Sequence, residues 1–249
     1  MILEVNKISK RFGGLIALNE VSFKVNNGEI VSIIGPNGSG KTTLFNIISG
    51  IYLPDNGKII FEGQDITKIS PYRRCKLGIG RTFQIVRPFN EMSVLDNVKV
   101  GLMYGRGNYK DLKDIEENAL ELLVFVNLHE KKSKKSEELT LIEKKKLEIA
   151  RALATKPKII LLDEPLAGLT SSEIPEACKM ISRIRDEKNI TVVWIEHIMH
   201  AVMSSSDRII VLNRGEKIAE GTPREVASKE SVIKAYLGEK YARRLLKNA

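Results

Sequence analysis

The run Gly35-Pro36-Asn37-Gly38-Ser39-Gly40-Lys41-Thr42-Thr43 limits what this chain can fold into more than any other stretch. It fits the spacing G-x-x-x-x-G-K-[ST], and its flanks give it a setting. Glu29 to Ile34 reads as a buried strand, and Lys41 to Ser49 carries Leu44, Ile47 and Ile48 at helical spacing. A strand, glycine-rich loop and helix in that order turn successive backbone N–H groups toward one anion at the positive end of the helix. Lys41 then reaches the β- and γ-phosphates of a nucleotide, and Thr42 offers its hydroxyl to magnesium. A flexible turn with an incidental lysine would explain the glycines but not the complete spacing.

The remaining pattern agrees with that unit. Three compact apolar runs, Ile159 to Leu162, Ile190 to Ile195 and Ile209 to Leu212, are separated by helical segments, which predicts a parallel sheet covered by helices and an α/β fold. From Ile2 to Val25, short alternations broken by Gly13-Gly14 and Asn26-Asn27-Gly28 predict an antiparallel β edge region. Between them, Glu116 to Leu128 and Thr140 to Ala154 keep helical spacing with no strand intervening, so residues 88–153 form an inserted α-helical subdomain. The expected division is a nucleotide-binding core with its β subdomain at 1–87 and 154–238, the helical insert at 88–153, and a basic tail at 239–249.

Composition narrows the function classes. In 249 residues, 43% hydrophobic and 29% charged side chains exclude a disordered chain. Forty Lys and Arg against thirty-one Asp and Glu leave a charge of +9, which favours polyanionic partners. Two cysteines are too few for a disulfide framework or a four-cysteine zinc site, and a reducing cytoplasm is the natural setting. No apolar run approaches the ~20 residues that span a bilayer, and no secretory signal is evident, so any membrane connection goes through a partner.

Four apolar residues lead into Asp163-Glu164, which puts two carboxylates at the C-terminal end of a buried strand, where ligands of open α/β sheets collect. Asp163 is expected to hold magnesium through water. Glu164 is placed to polarise the water that attacks the γ-phosphate, since phosphoryl transfer asks the protein mainly for positioning and charge stabilisation. An acidic turn closed by Pro165 is common on its own; beside a phosphate loop it points to nucleotide hydrolysis.

These residues together resemble the ATP-binding cassette (ABC) family of transporter ATPases over nearly the whole chain. The resemblance implies a P-loop NTPase core, ATP and Mg2+ as ligands, and several residue roles. Phe12 resembles the aromatic that stacks on adenine, although locally it reads equally as a core residue at a turn. Gln84, in Arg81-Thr82-Phe83-Gln84, resembles the glutamine that joins the magnesium shell and senses the transmembrane partner. His197 resembles the switch histidine at the γ-phosphate, and His200, with no third ligand nearby, reads as a helix-surface residue.

Within the family, the likeness is to ATPases of branched-chain amino-acid importers of the LivG type. It rests on Arg11 to Leu18, Met92 to Val98, Leu147 to Leu153, and Ile218 to Pro223 with Val232 to Glu239. Cassettes of urea import and of lipopolysaccharide export are similar, so solute and direction stay open. The implied partners are transmembrane permease subunits, a second cassette, identical or different, joined head to tail, and indirectly a solute-binding protein. The implied location is the cytoplasmic face of the cell membrane, and no nucleic-acid partner is expected, because no aromatic-rich basic patch accompanies the charge.

One stretch departs from the family. Its signature loop, leucine-serine-glycine-glycine-glutamine or a near variant, here reads Leu139-Thr140-Leu141-Ile142-Glu143, without either glycine. The loop is expected to close on the partner cassette's ATP through backbone amides, so Leu141 and Ile142 predict a weakened signature. The same residues form a complete T-x-x-E capping box that starts a helix well. Lys144, Lys145 and Lys146 are expected to offset Glu143 and in part to compensate for the missing glycines. In the next conserved place of the family pattern, Ala167-Gly168-Leu169-Thr170 carries Thr170 where many cassettes have aspartate, retaining a hydroxyl for contacts across the dimer.

Overall fold

A computed structural model describes residues 1–237, and the basic tail expected at 239–249 lies outside the described residues. The chain forms two compact units, Met1–Ile69 with the described residues from Thr191 on, and Ser70–Ile190.

The first unit opens with β1 (Leu3–Phe12) and β2 (Leu15–Val25), antiparallel partners with Leu3 opposite Val25 and Val5 opposite Phe23. Leu3, Val5, Ile8, Val21, Phe23 and Val25 are buried, which is the inward half of the alternation. In β3 (Ile30–Ile34) all five residues are buried, as the unbroken apolar run requires of a strand covered on both faces. Then come α1 (Lys41–Ile48), β4 (Asn56–Phe61) and β5 (Gln64–Asp65). β4 pairs antiparallel with β1, giving the order β2-β1-β4-β5. This strand is not legible in the sequence, because Ile59, Ile60 and Phe61 stand in a row without the alternation that marks a half-buried strand.

The second unit holds α2 (Pro71–Leu77), β6 (Ile79–Arg81), α3 (Val94–Tyr104), α4 (Leu112–Phe125), α5 (Leu141–Ala154), β7 (Ile159–Asp163) and α6 (Ile174–Lys188). β6 and β7 run parallel. Each helix of the predicted helical stretch is started by a side-chain cap: Asp96 N–H donates to Ser93 Oγ at 3.0 Å, Asp114 N–H to Asp111 Oδ1 at 2.9 Å, and Glu143 N–H to Thr140 Oγ1 at 3.5 Å. The Asp111 cap is why α4 begins before the expected Glu116.

The chain then completes the first unit with β8 (Thr191–Ile195), α7 (Met199–Ser205), β9 (Arg208–Asn213), β10 (Glu216–Gly221), α8 (Pro223–Ala227) and α9 (Glu230–Leu237). β3 lies between β8 and β9 and is parallel to both, while β10 turns back antiparallel on β9. Trp194 on β8 is fully buried, with its indole N–H donated to Ser206 Oγ at 3.3 Å. Because β3 and β8 are parallel neighbours, the residues that follow each of them leave the sheet at the same edge, the carboxyl edge where open α/β sheets bind ligands. Residues 35–40 follow β3, and His197 follows β8. Among the described residues no helix is long and apolar enough to cross a membrane.

Candidate functional site

The phosphate loop is shaped by close backbone packing. A Cβ at Gly35 would come within 2.1 Å of the Leu212 carbonyl oxygen, and one at Gly40, where φ is +101°, within 2.5 Å of that of Ala17. Glycine is needed at both places, at the second for its left-handed backbone as well. Gly40 is the N-cap of α1 and offers no side chain, so the amides of the first turn remain available to an anion. Lys41 is buried, and its Nζ donates to the carbonyls of Gly35 at 2.8 Å and Pro36 at 2.9 Å. Pro36, Asn37 and Gly38 form the open crest of the loop, with Asn37 and Gly38 exposed. Ser39 is buried, and among the described residues its Oγ finds no hydrogen-bond partner. Thr42 is exposed and Thr43 half-buried at the start of α1.

Phe12 ends β1 as an exposed ring, which settles its two local readings against a core residue. Tyr52 meets it edge to face, with ring centroids 5.4 Å apart, and the Lys10 ammonium lies 5.6 Å from its centroid. An aromatic face held this way suits a flat base. Tyr52 is a member of this group that sequence reasoning missed, since Ile51-Tyr52-Leu53 looks like an ordinary apolar connector. His197 is exposed beyond β8, with its backbone N–H donated to Glu196 Oε2 at 3.1 Å, and His200 is exposed on α7.

In the second unit Asp163 ends β7, almost fully buried, and accepts from Arg81 Nη2 at 3.0 Å. Its backbone N–H donates to Thr82 Oγ1 at 3.2 Å. Burial disfavours the Arg81 cation, and the carboxylate beside it offsets only part of that, so its pKa lies below the usual arginine value. Glu164 follows with φ 49°, a left-handed conformation uncommon outside glycine. Its Oε2 accepts from Gln84 Nε2 at 2.8 Å, so the structure brings Gln84 and Glu164 together. Arg81 could have been found from sequence: a cation two residues into the Ile79-Gly80-Arg81 strand faces a buried carboxylate on its neighbour.

The segment around Gln84 is bound to α5. Glu148, buried on that helix, accepts from the N–H of Phe83 at 3.2 Å and of Arg87 at 3.0 Å. Arg151 donates to the Arg87 carbonyl at 3.0 Å and lies 4.8 Å from the Phe89 centroid. The sequence signal for Glu148 is a lone carboxylate inside the apolar run Leu147 to Ala150.

The capping box at Thr140 is complete: the Thr140 N–H donates to Glu143 Oε2 at 3.0 Å, and Glu143 returns its own N–H to Thr140 Oγ1. The direct contacts of Glu143 and of two of the lysines that follow it are with other groups. Glu143 pairs with Lys131, Lys146 with Glu176 at 2.9 Å, and Lys145 with the carbonyls of Glu164 and Pro165. Burial raises the Glu143 pKa, but hydrogen bonds from Lys131 and Thr140 outweigh it and hold the carboxyl below its usual value.

A phosphate loop after a buried strand, a carboxylate pair after another and a capped helix where the signature belongs agree with the comparisons to known proteins. Residues 18–167 match the family model described as ABC transporter, and residues 216–242 match the model described as branched-chain amino acid ATP-binding cassette transporter. The chain is 41% identical to the high-affinity branched-chain amino acid transport ATP-binding protein BraF of Pseudomonas aeruginosa, over 96% of this chain and 98% of that protein. Its fold matches the ADP conformation of MJ1267, an ATP-binding cassette of an ABC transporter, with a TM-score of 0.85 and 37% identity, covering 96% of this chain and 99% of that one. It also matches MJ0796, a cassette seen as a dimer in a post-hydrolysis state with ADP and Pi, with a TM-score of 0.80 and 28% identity over 90% of this chain and 99% of that one. The α/β cassette fold expected from the phosphate loop and the apolar runs is thus found over 96% of the chain, which belongs to the ABC transporter family as an ATP-binding, ATP-hydrolysing cassette of a transporter complex.

Proposed function

We propose that the chain energises an importer of branched-chain or similar amino acids, working at the cytoplasmic face of the membrane with permease subunits, a second cassette and, indirectly, a solute-binding protein. The observation that carries this reading is the end-to-end likeness to BraF, joined to the match of residues 216–242. Phe12 and Tyr52 take the adenine. The amides of residues 38–43 and the Lys41 ammonium take the β- and γ-phosphates, Lys41 exchanging two loop carbonyls for phosphate oxygens. Thr42, Asp163 and Gln84 would hold magnesium, since a hydroxyl, a carboxylate and an amide carbonyl are the kinds of oxygen donor it prefers. Magnesium, when bound, would spread the charge of the phosphates. Glu164 orients the attacking water, and His197 contacts the γ-phosphate. Gln84 and the loop to Asn90 report the state of the site to the permease.

The test is hydrolysis by the assembled transporter in vesicles. Leucine, isoleucine or valine is expected to stimulate ATP turnover, and Glu164→Gln to cut it to a slow residual rate while leaving ATP bound. Stimulation by urea instead would overturn the solute assignment, and full turnover in Glu164→Gln the catalytic one. A second reading, a low-turnover regulatory cassette, is favoured by one observation: α5 starts at Leu141, so side chains stand where the family has its two glycines. Native turnover below that of the partner cassette would support it.

A further inference from the structure

We propose that Lys145, on the helix that follows the signature stretch, is a positioning residue for Glu164 of its own chain. Lys145 Nζ donates to the Glu164 carbonyl at 3.0 Å and to the Pro165 carbonyl at 3.2 Å. Those two carbonyls belong to the consecutive peptide units that leave Glu164. One ammonium bridging them fixes the direction of both units, and with it the rotation of the Glu164 backbone and the aim of its carboxylate. That constraint falls where it is needed, because Glu164 holds φ at 49° and a non-glycine residue keeps such a conformation only when its surroundings over-determine it.

The carboxylate is secured from a second direction by the same helix. Gln84 Nε2 donates to Glu164 Oε2 at 2.8 Å, and the segment bearing Gln84 is fastened to α5 through Glu148, which accepts from Phe83 and Arg87. A third contact lies one turn before Lys145. A Cβ at Gly168, where φ is +79°, would come within 2.9 Å of Leu141 Cδ2, so Leu141 rests against the loop that follows Glu164. Helix α5 therefore holds the main chain of Glu164 through Lys145, its side chain through Glu148 and Gln84, and its trailing loop through Leu141. A residue in place of a signature glycine thus braces the hydrolytic loop in cis, which is a different task from closing on a partner's nucleotide.

The inference rests on the reading of Glu164 as the carboxylate that orients water, and the experiment separates the two. ATP turnover is measured for the full chain assembled with its transporter partners, comparing native, Lys145→Met, Lys145→Gln and Lys145→Arg. Methionine keeps the stem and removes all donors. The expected order of kcat is native and Arg, then Gln, then Met, with Met about tenfold below native and KM for ATP unchanged in every variant. In a Glu164→Gln background, the single-turnover rate of ATP cleavage is expected to be the same with Lys145 or Met, because both changes act on one step. Native kcat in Lys145→Met, or an equal fold loss in both backgrounds, overturns the role of Lys145. Full turnover in Glu164→Gln overturns the reading of Glu164 instead. If the Met chain fails to fold, equal kcat for Arg and Gln is the overturning result.

Discussion

Lys41 holds two carbonyls of its own loop, which under the proposed binding mode it exchanges for phosphate oxygens. ATP at about 100 times its Kd stabilises the native chain by about 2.7 kcal/mol, and Lys41→Ala is expected to lose the thermal shift that reports this. Phe12→Ala is expected to weaken ATP roughly tenfold, since an aromatic contact of this kind is worth about 1 kcal/mol beyond its area; nucleotide titration by calorimetry measures it. The pair of Glu29 and Arg208 sets an acid limit. Burial raises the Glu29 pKa, but the Arg208 hydrogen bonds and charge and the Asn26 N–H outweigh it, so the carboxyl titrates below 4.5. Its stabilisation is complete above the unfolded value of 4.5 and is lost as pH falls through the lower folded value. Glu29→Gln should therefore cost about 1–2 kcal/mol at pH 7 and nothing once both forms are protonated, as read from urea unfolding across pH. At this scale Lys41, Asp163 and Glu164 were legible because spacing and setting repeat a chemical requirement. Tyr52 was not, because it owes its place to Phe12, far away in sequence, and Arg81 and Glu148 left only the weaker signal of a charge inside an apolar stretch, with no hint of the partner that holds each.

Helix α5 shows how one element can answer two demands. Its start is a capping box of Thr140 and Glu143, legible in the sequence because the T-x-x-E spacing is local. What the sequence did not reveal is where its charged side chains go, since Lys131 meets Glu143, Glu176 meets Lys146, and the carbonyls of Glu164 and Pro165 meet Lys145 only in the folded chain. Thr140→Ala is expected to destabilise the protein by about 1 kcal/mol in thermal unfolding. Replacing Leu141 and Ile142 together by glycine sets the demands against each other. Two glycines in the first turn cost roughly 2 kcal/mol of helix stability, while close approach of the backbone to a partner's phosphate becomes possible. Because Leu141 also rests against the loop after Glu164, the faster turnover is expected in Ile142→Gly alone, which leaves that contact in place, and both glycine variants should melt lower than native. A lower melting temperature with no rise in turnover in Ile142→Gly would sink the idea that the signature is weakened by its side chains.

For the molecule as a whole, the +9 charge bears on assembly. Two copies of this chain, or this chain and another cassette of like charge, repel as they approach, and nucleotide phosphates brought between them reduce that repulsion. ATP would then promote pairing both by bridging and by neutralising charge. MJ0796, a family relative at 28% identity, is seen as a dimer, and that makes the experiment concrete. Glu164→Gln, which retains ATP under the proposed mechanism, should run as a dimer in gel filtration with ATP and magnesium, whereas the native chain should return to monomer as ATP is consumed. Raising salt from about 50 mM to about 500 mM shortens the screening length to a few ångströms and should strengthen the dimer. A dimer that dissociates with salt would instead mean that opposite charges meet across the interface. If Glu164→Gln stays monomeric at every ATP concentration but pairs with a different cassette that has both signature glycines, the dimer is hetero-typic, and the weak signature falls on the partner's nucleotide alone.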